Sequence, residues 1–523
     1  MATPYDIKIA PGNTGLWHFG QSESTANKAT ELLQKDLDAH HVFFNQDGFH
    51  NHISHHILAL YGTGASVDDL VRGYKENEGY QRPALKAHSQ ELIDELRDWE
   101  KAKKRLGKEQ SSISSLWFYI QRIPCAKAFL ADYTDWLHFF QHEIEHLGSW
   151  QKVLAEYMFK PNDPRSEDMQ IRMFAGFLHP LIQLMYGVEW DQPAMVAMAL
   201  AQACVHSDQF REFMLAAEAQ ANATAKTPMP RISELLDAVS KNEKLRNSPS
   251  LDDGNKIRDG VLARARDEAL KYTAQVKIEP SELEERTTEM YNTSIYVASA
   301  AALHSPTKDP KYEFFLIHHV NVNPIFITLN RQSWIPVELK VRMLEWKVRM
   351  DLIQYSARGS PSLDVQKIKD YKPKTGNPGP AAELLPRMHA LAEDGHAIKL
   401  FRAVGVGKEA SKPYEDRDWL VIKGDLWNNI SHMIVDSVEA PGPTWVRNAG
   451  FDEAWKVRFC FAVPSPNHPS TRRAVTKANR SICRKYKIEQ TAERHCCKDH
   501  VRTSVSEIND PYLGVAVAVN TST

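Results

Sequence analysis

Residues 48–66 read "GFHNHISHHILALYGTGAS", which puts His50, His52, His55 and His56 within seven positions at the head of an apolar run. Imidazole ligates metals and carries protons near neutral pH, so this cluster asks for an explanation. On a helical wheel of residues 49–60, Phe49, Ile53, Ile57 and Leu60 form one stripe. His56 lies nearest to it and His52 next, a pair four residues apart. That is the spacing by which one helix face offers two imidazoles to one metal. The plain alternative is a helix start with one satisfied core histidine and several in water.

Other segments carry single histidines on apolar faces. "GFLHPLIQLMYGVEW" (176–190) surrounds His179 with apolar residues, has Pro180 suited to a first helical turn, and sets Gln183 one turn further on. "EFFLIHHVN" (313–321) places His318 a turn after Phe314 and Phe315, with His319 beside it. "EDGHAIKLFRAV" (393–404) aligns His396 with Leu400 and Ala403, and His206 follows another apolar helix. One such residue is as well explained by a bond to a backbone carbonyl; several together point to a shared site. In "LEWKVRMDL" (344–352), Lys347 edges the face of Met343, Trp346 and Met350. Either it snorkels along the core, or, if buried, it loses its proton and captures CO2 as a carbamate, an anionic ligand for a metal.

Competing chemistries are thinner. "HEIEH" (142–146) matches the HExxH of zinc hydrolases through His142, Glu143 and His146, yet the longer HExxHxxGxxH spacing is not met. There is no GxGxxG for FAD or NAD(P), no phosphate-cradling GxxxxGK[ST] and no GxSxG elbow. Cys483, His495, Cys496, Cys497 and His500 cluster without paired zinc-binding arms, and six cysteines in 523 residues make no disulfide framework.

What must position these residues is helical. "KATELLQKDLDAHHVFF", "ELIDELRDWEKAKKRL", "DWLHFFQHEIEHLGSWQKVLAEYMF" and "VELKVRMLEWKVRMDLIQYSARG" repeat apolar residues at three- and four-residue steps. The expectation is a mainly α fold: one large helical domain over residues 1–460, packed around a buried histidine-rich site. A basic, poorly periodic tail over 461–523 is expected to be loosely ordered. The net charge of −2 argues against a nucleic-acid partner, and no apolar run is long enough to span a bilayer. The N-terminal residues lack a signal-peptide pattern, so a cytoplasmic protein is expected.

Six blocks, in order, resemble the questin oxidase-like family of fungal secondary metabolism. They are the histidine stretch, "GFLHPLIQLMYGVEW", "KYEFFLIHHVN", "MLEWKVRMDLIQYSARGSP", "EDGHAIKLFRAV" and "RNAGFDEAW", spanning about residues 15–455. The family is largely helical and includes Baeyer–Villiger-type and ring-cleaving oxygenases of anthraquinones and related aromatic polyketides, some of mycotoxin pathways. The resemblance implies O2 and a flat polyketide as substrates, and an Fe(II) centre held by histidines and a carboxylated lysine. Carried over, its candidates are His52 or His56, His179, His318, His396 and a Lys347 carbamate, with His206 behind them. Phe49, Trp117, Tyr119, Tyr186 and Trp346 are the candidate substrate aromatics, with Lys399 and Arg402 to neutralise a developing oxyanion. Gln183 stands where a second histidine is expected, and the tail lies outside the pattern. Alternatives are a metal-free Baeyer–Villiger oxidase with histidine bases, the HExxH hydrolase, and a quinone-binding protein without activity.

Overall fold

Apolar residues three and four apart become helices here, and their ends are set by caps and left-handed turns. The computed structural model describes residues 1–45, 48–107, 132–224, 228–376 and 379–456. The helices that bear on the site are α1 (Glu23–Ala39), α2 (Ile53–Tyr61), α3 (Val67–Glu78), α4 (Asp132–Leu147), α5 (His179–Glu189), α6 (Pro193–Val205), α7 (Leu283–Ala302), α8 (Phe314–Asn321), α9 (Val337–Ala357) and α10 (His396–Ser411). Among the described residues there are no strands, only isolated bridges. The mainly α expectation holds: this is a single helical domain around a buried group of histidines. No helix among the described residues is long and apolar enough to cross a membrane.

Two packing groups meet at the centre. In one, α2 lies against α1, α3, α5 and α10, and α5 lies against α6, which also packs on α4. In the other, α7 and α8 pack on each other, on α9 and on α10. Local chemistry fixes where each begins. Ser22 caps α1, and Ser66 with Asp69 forms a capping box on α3. The fully buried Glu313 caps α8 by accepting from the Phe315 and Leu316 amides at 2.8 and 2.7 Å.

Two boundaries differ from the periodicity. The long pattern over 135–159 is two helices, because Gly148 takes φ +82° and Ser149 caps the next one. The histidine stretch becomes helical only at Ile53. Before it, residues 49 and 50 are held extended by the Phe43–His50 bridge and the bond from Phe44 N to Phe49 O.

Candidate metal centre

Four imidazoles from four different helices close into a ring, and each has Nδ1 tied to an oxygen. His52 caps the N-terminus of α2 and faces Asp394 Oδ2 across 3.3 Å. His179 opens α5 and donates to the Gly176 carbonyl at 2.6 Å. His318, on α8, donates to the Phe314 carbonyl at 2.7 Å. His396 opens α10 and donates to Asp394 Oδ1 at 2.6 Å. Carbonyls and an ionised carboxylate only accept, so these partners place the proton on Nδ1 of every ring and leave Nε2 bare. Those bare nitrogens face one another: His52 and His179 at 2.8 Å, His318 and His396 at 3.3 Å. Ring centroids of 5.1 Å for His179–His318 and 4.5 Å for His52–His396 close the circle.

Such a circle has a definite electrostatic demand. Opposed lone pairs repel unless a cation lies between them or one ring is protonated. Protonation is opposed by burial, which pushes His52 down to about 3 and lowers His179, His318 and His396 as well. A metal ion between such facing nitrogens would satisfy both, and imidazoles so oriented through Nδ1 are the usual arrangement of histidine ligands. His52, Asp394 and His396 also offer three ligand atoms within 4.8 Å of one another. Asp394, however, spends both oxygens on ring Nδ1 atoms and so holds the two rings in place. Burial alone would raise its pKa; His396 and His52 hold it well below the carboxylate range. Beside it, Glu393 is pushed up to about 7 by burial and the Asp394 charge, while accepting from the Ala397 amide at 3.0 Å.

Lys399 lies one turn along α10 from His396. Its Nζ is buried without a hydrogen-bond partner among the described residues. Burial lowers it to about 8, against the pull of Asp394 and Glu393. Its charge acts on all four imidazoles of the ring.

The remaining candidates fall elsewhere, and several expectations need correcting. His56 does not share a face with His52, because His52 sits at the cap rather than inside the helix. Instead His56 packs against Gly73 and Gly395, with Asn77 Nδ2 at 3.4 Å from its Nδ1. Lys347 is also apart from the ring: its Nζ lies 2.6 Å from both oxygens of Asp351, a carboxylate that also accepts from His319 at 2.5 Å. This pairing commits its Nζ to Asp351. Arg402 is committed to Glu189 and covers Trp190, so its charge is matched before any oxyanion forms. Tyr186, stacked on His55, and Trp346, edge-on to Phe174, are core residues; Phe49 rests beside Phe44. Trp117, Tyr119 and the tail lie outside the described residues, as do all cysteines but the buried Cys204. Gln183 accepts from His55 at 2.7 Å, which holds that ring beside the circle.

In "HEIEH" the buried Glu143 is taken by Arg97 and Tyr157, both at 2.7 Å, and His146 is exposed. Among the described residues no third ligand joins His142 and His146. His88, Asp132 and Asp135 do converge, but Arg105 pairs with both aspartates.

Two contributors escaped the sequence reading. Asp394 is one; its place two residues before His396 was the available signal. The other is the run Gly176, Phe177 and Leu178, at φ +52°, +54° and +69°, which turns His179 inward. A Cβ at Gly176 would stand 2.5 Å from His206 Nε2 and 3.0 Å from His50 Cε1. Those two rings pair through Nε2 at 2.8 Å, with His50 stacked on His179.

A helical protein with a buried ring of metal-competent imidazoles is thereby defined. Residues 49–404 match the family model described as questin oxidase-like, and the chain belongs to that family of oxidoreductases. It is 34% identical over 469 residues to "Baeyer-Villiger oxidase AgnL3" of Paecilomyces divaricatus, covering 87% of this chain and 96% of that one. It is 32% identical over 469 residues to "Questin oxidase" of Aspergillus fumigatus, covering 87% and 99%. "Oxidoreductase AflY" of Aspergillus parasiticus is 32% identical over 455 residues, covering 86% of each.

Proposed function

We propose that this chain is an O2-dependent oxygenase of fungal secondary metabolism that inserts oxygen into, or cleaves, a ring of an anthraquinone-type aromatic polyketide. Its centre would be Fe(II), held by Nε2 of His52, His179, His318 and His396. The observation that carries this reading is the set of four bare nitrogens with no proton to share among them. Neutral imidazoles suit ferrous iron, and the bound ion would supply a place for O2 to bind and be reduced.

The anionic ligand that the family resemblance attaches to a lysine is better served by Lys399 than by Lys347. A neutral amine attacks the carbon of CO2 and sheds a proton, which leaves a carbamate oxygen facing the ring of imidazoles. Asp394 keeps the His52 and His396 rings aligned, and the Gly176 and Phe314 carbonyls do the same for His179 and His318. The metal-free reading, with histidines as bases, fits less well. Burial lowers the pKa of all four rings, which makes them poorer acceptors of a phenolic proton.

The test is metal content by mass spectrometry on protein purified without chelators, with O2 uptake on a hydroxylated anthraquinone. Near-stoichiometric iron that is lost together with O2 uptake on chelation is expected. Metal-free protein that still consumes O2 would overturn the centre. A carbamate resonance from isotope-labelled bicarbonate, absent in Lys399→Met, checks the lysine separately.

A further inference from the structure

One block of the sequence, "RNAGFDEAW", is still without a role, and its first residue lies beside the ring of histidines. Val446 is bridged to Glu313 at the head of α8, through bonds from Phe314 N to Val446 O and from Val446 N to Tyr312 O of 2.9 and 3.0 Å. That bridge fixes Trp445 and Arg447 on either side. The Arg447 guanidinium stands over the Phe314 ring at 4.9 Å, and Phe314 lies 4.8 Å from His318 and 5.1 Å from His396. The Trp445 ring is 6.2 Å from His396. Phe315 pairs with Phe177 at 4.8 Å, and Phe177 is 6.3 Å from His318.

Two features of this wall are unusual. Phe177 is 49% exposed and left-handed, a bulky side chain turned to solvent by the same strained run that turns His179 inward. Arg447 has no carboxylate in ion-pair range among the described residues. By contrast, Arg402 is matched by Glu189, Arg342 by Glu167 and Glu218, and Arg358 has Glu313 at 3.9 Å. Arg447 thus combines an aromatic face, an unspent guanidinium and a short path to the histidines. A guanidinium in that setting suits an anionic oxygen on a flat ring, which it can bond through its fork while the ring stacks on the neighbouring aromatics.

Resting on the functional reading above, we propose that Arg447 recognises the anionic oxygen of a polyphenolic substrate stacked on Phe177, Phe314, Phe315 and Trp445. It is thereby a specificity residue of the site. The nearby Asp394 carboxylate is spent on His52 and His396.

The test is equilibrium binding by fluorescence quenching, without turnover. The ligands are a hydroxylated anthraquinone, above its phenol pKa, and its O-methyl ether. Wild-type protein should prefer the phenolate, and Arg447→Gln should lower that preference at least about tenfold. Arg447→Lys should recover part of it. Phe177→Ala should weaken both ligands alike, by roughly three- to tenfold, and leave the preference intact. An unchanged preference in Arg447→Gln, with the circular dichroism of wild type, overturns the proposal. Quinone bound with discrimination but no O2 consumed would sink the catalytic reading and spare this one. O2 consumed with no discrimination would do the reverse.

Discussion

Two buried lysines sit beside histidines in this fold, and one short helix touches both groups. α8 gives His318 to the ring and the next residue, His319, to the cluster around Lys347. In that second cluster every charge has its match: the Asp351 carboxylate takes two bonds from Lys347 and one from His319. In the first, Lys399 Nζ has no hydrogen-bond partner among the described residues, and Nε2 faces Nε2 in both histidine pairs. Both lysines are pushed down by burial. Burial is therefore common to both and does not distinguish them. The difference is whether the neighbours already answer the charge. A closed ion pair is architecture, whereas an unanswered set of donors is a place for a ligand.

The largest effect that would break or sharpen this contrast is on stability. Lys347→Met strands Asp351 and should cost about 3–5 kcal/mol in urea unfolding, with much of it restored when Asp351→Leu is added. Iron per folded molecule should not change; iron lost here would break the comparison. Lys399→Met should lower O2 uptake by more than about a hundredfold, beyond what loss of an orienting group costs, with little change in unfolding midpoint. Next comes Asp394→Asn, which keeps its shape but loses the charge that aligns His52 and His396. Metal affinity, measured by competition with a chromophoric chelator, should fall roughly 10–100-fold.

Acid should act on the metal-stripped protein. His52, His56 and His206 sit at about 3, 4 and 3 in the fold, below the ordinary 6.5. The unfolded chain therefore takes up protons first as pH falls. Stability is complete above about 6.5 and is lost downward toward the folded values, by at most roughly 1.4 kcal/mol per pH unit for each histidine. Denaturant midpoints between neutrality and about pH 4 would show that slope, and a flat curve would mean the rings are already solvated. The smallest change is expected from His146→Ala, the exposed end of "HEIEH": within about 0.5 kcal/mol in stability, and nothing in O2 uptake.

The sequence made the helices and most of the ring legible, because His179, His318 and His396 stand on apolar faces that have to be buried. His52 was found for a mistaken reason. A wheel assumes that the helix already exists at residue 49, while the bridge that keeps Phe49 and His50 extended comes from Phe43. Lys347 differs for a related cause. Apolar neighbours signal its burial, whereas its pairing depends on Asp351, one turn on, an i,i+4 partner on the same helix. Asp394 and Gly176 stand close in sequence to the histidines they hold, His396 and His179, but their other partners, His52 for Asp394 and His206 for Gly176, come from tertiary packing.

The ring draws its members from positions 52, 179, 318 and 396, with facing pairs separated by 127 and 78 residues along the chain. This has a consequence for biosynthesis. A nascent polypeptide still lacking α10 owns three of the imidazoles but neither Asp394 to aim His52 nor Lys399 beside them. The ribosome therefore delivers the ring's last member late, after most of the scaffold has emerged. The full set of four facing imidazoles, with the carboxylate that aligns two of them, therefore exists only once α10 has been made.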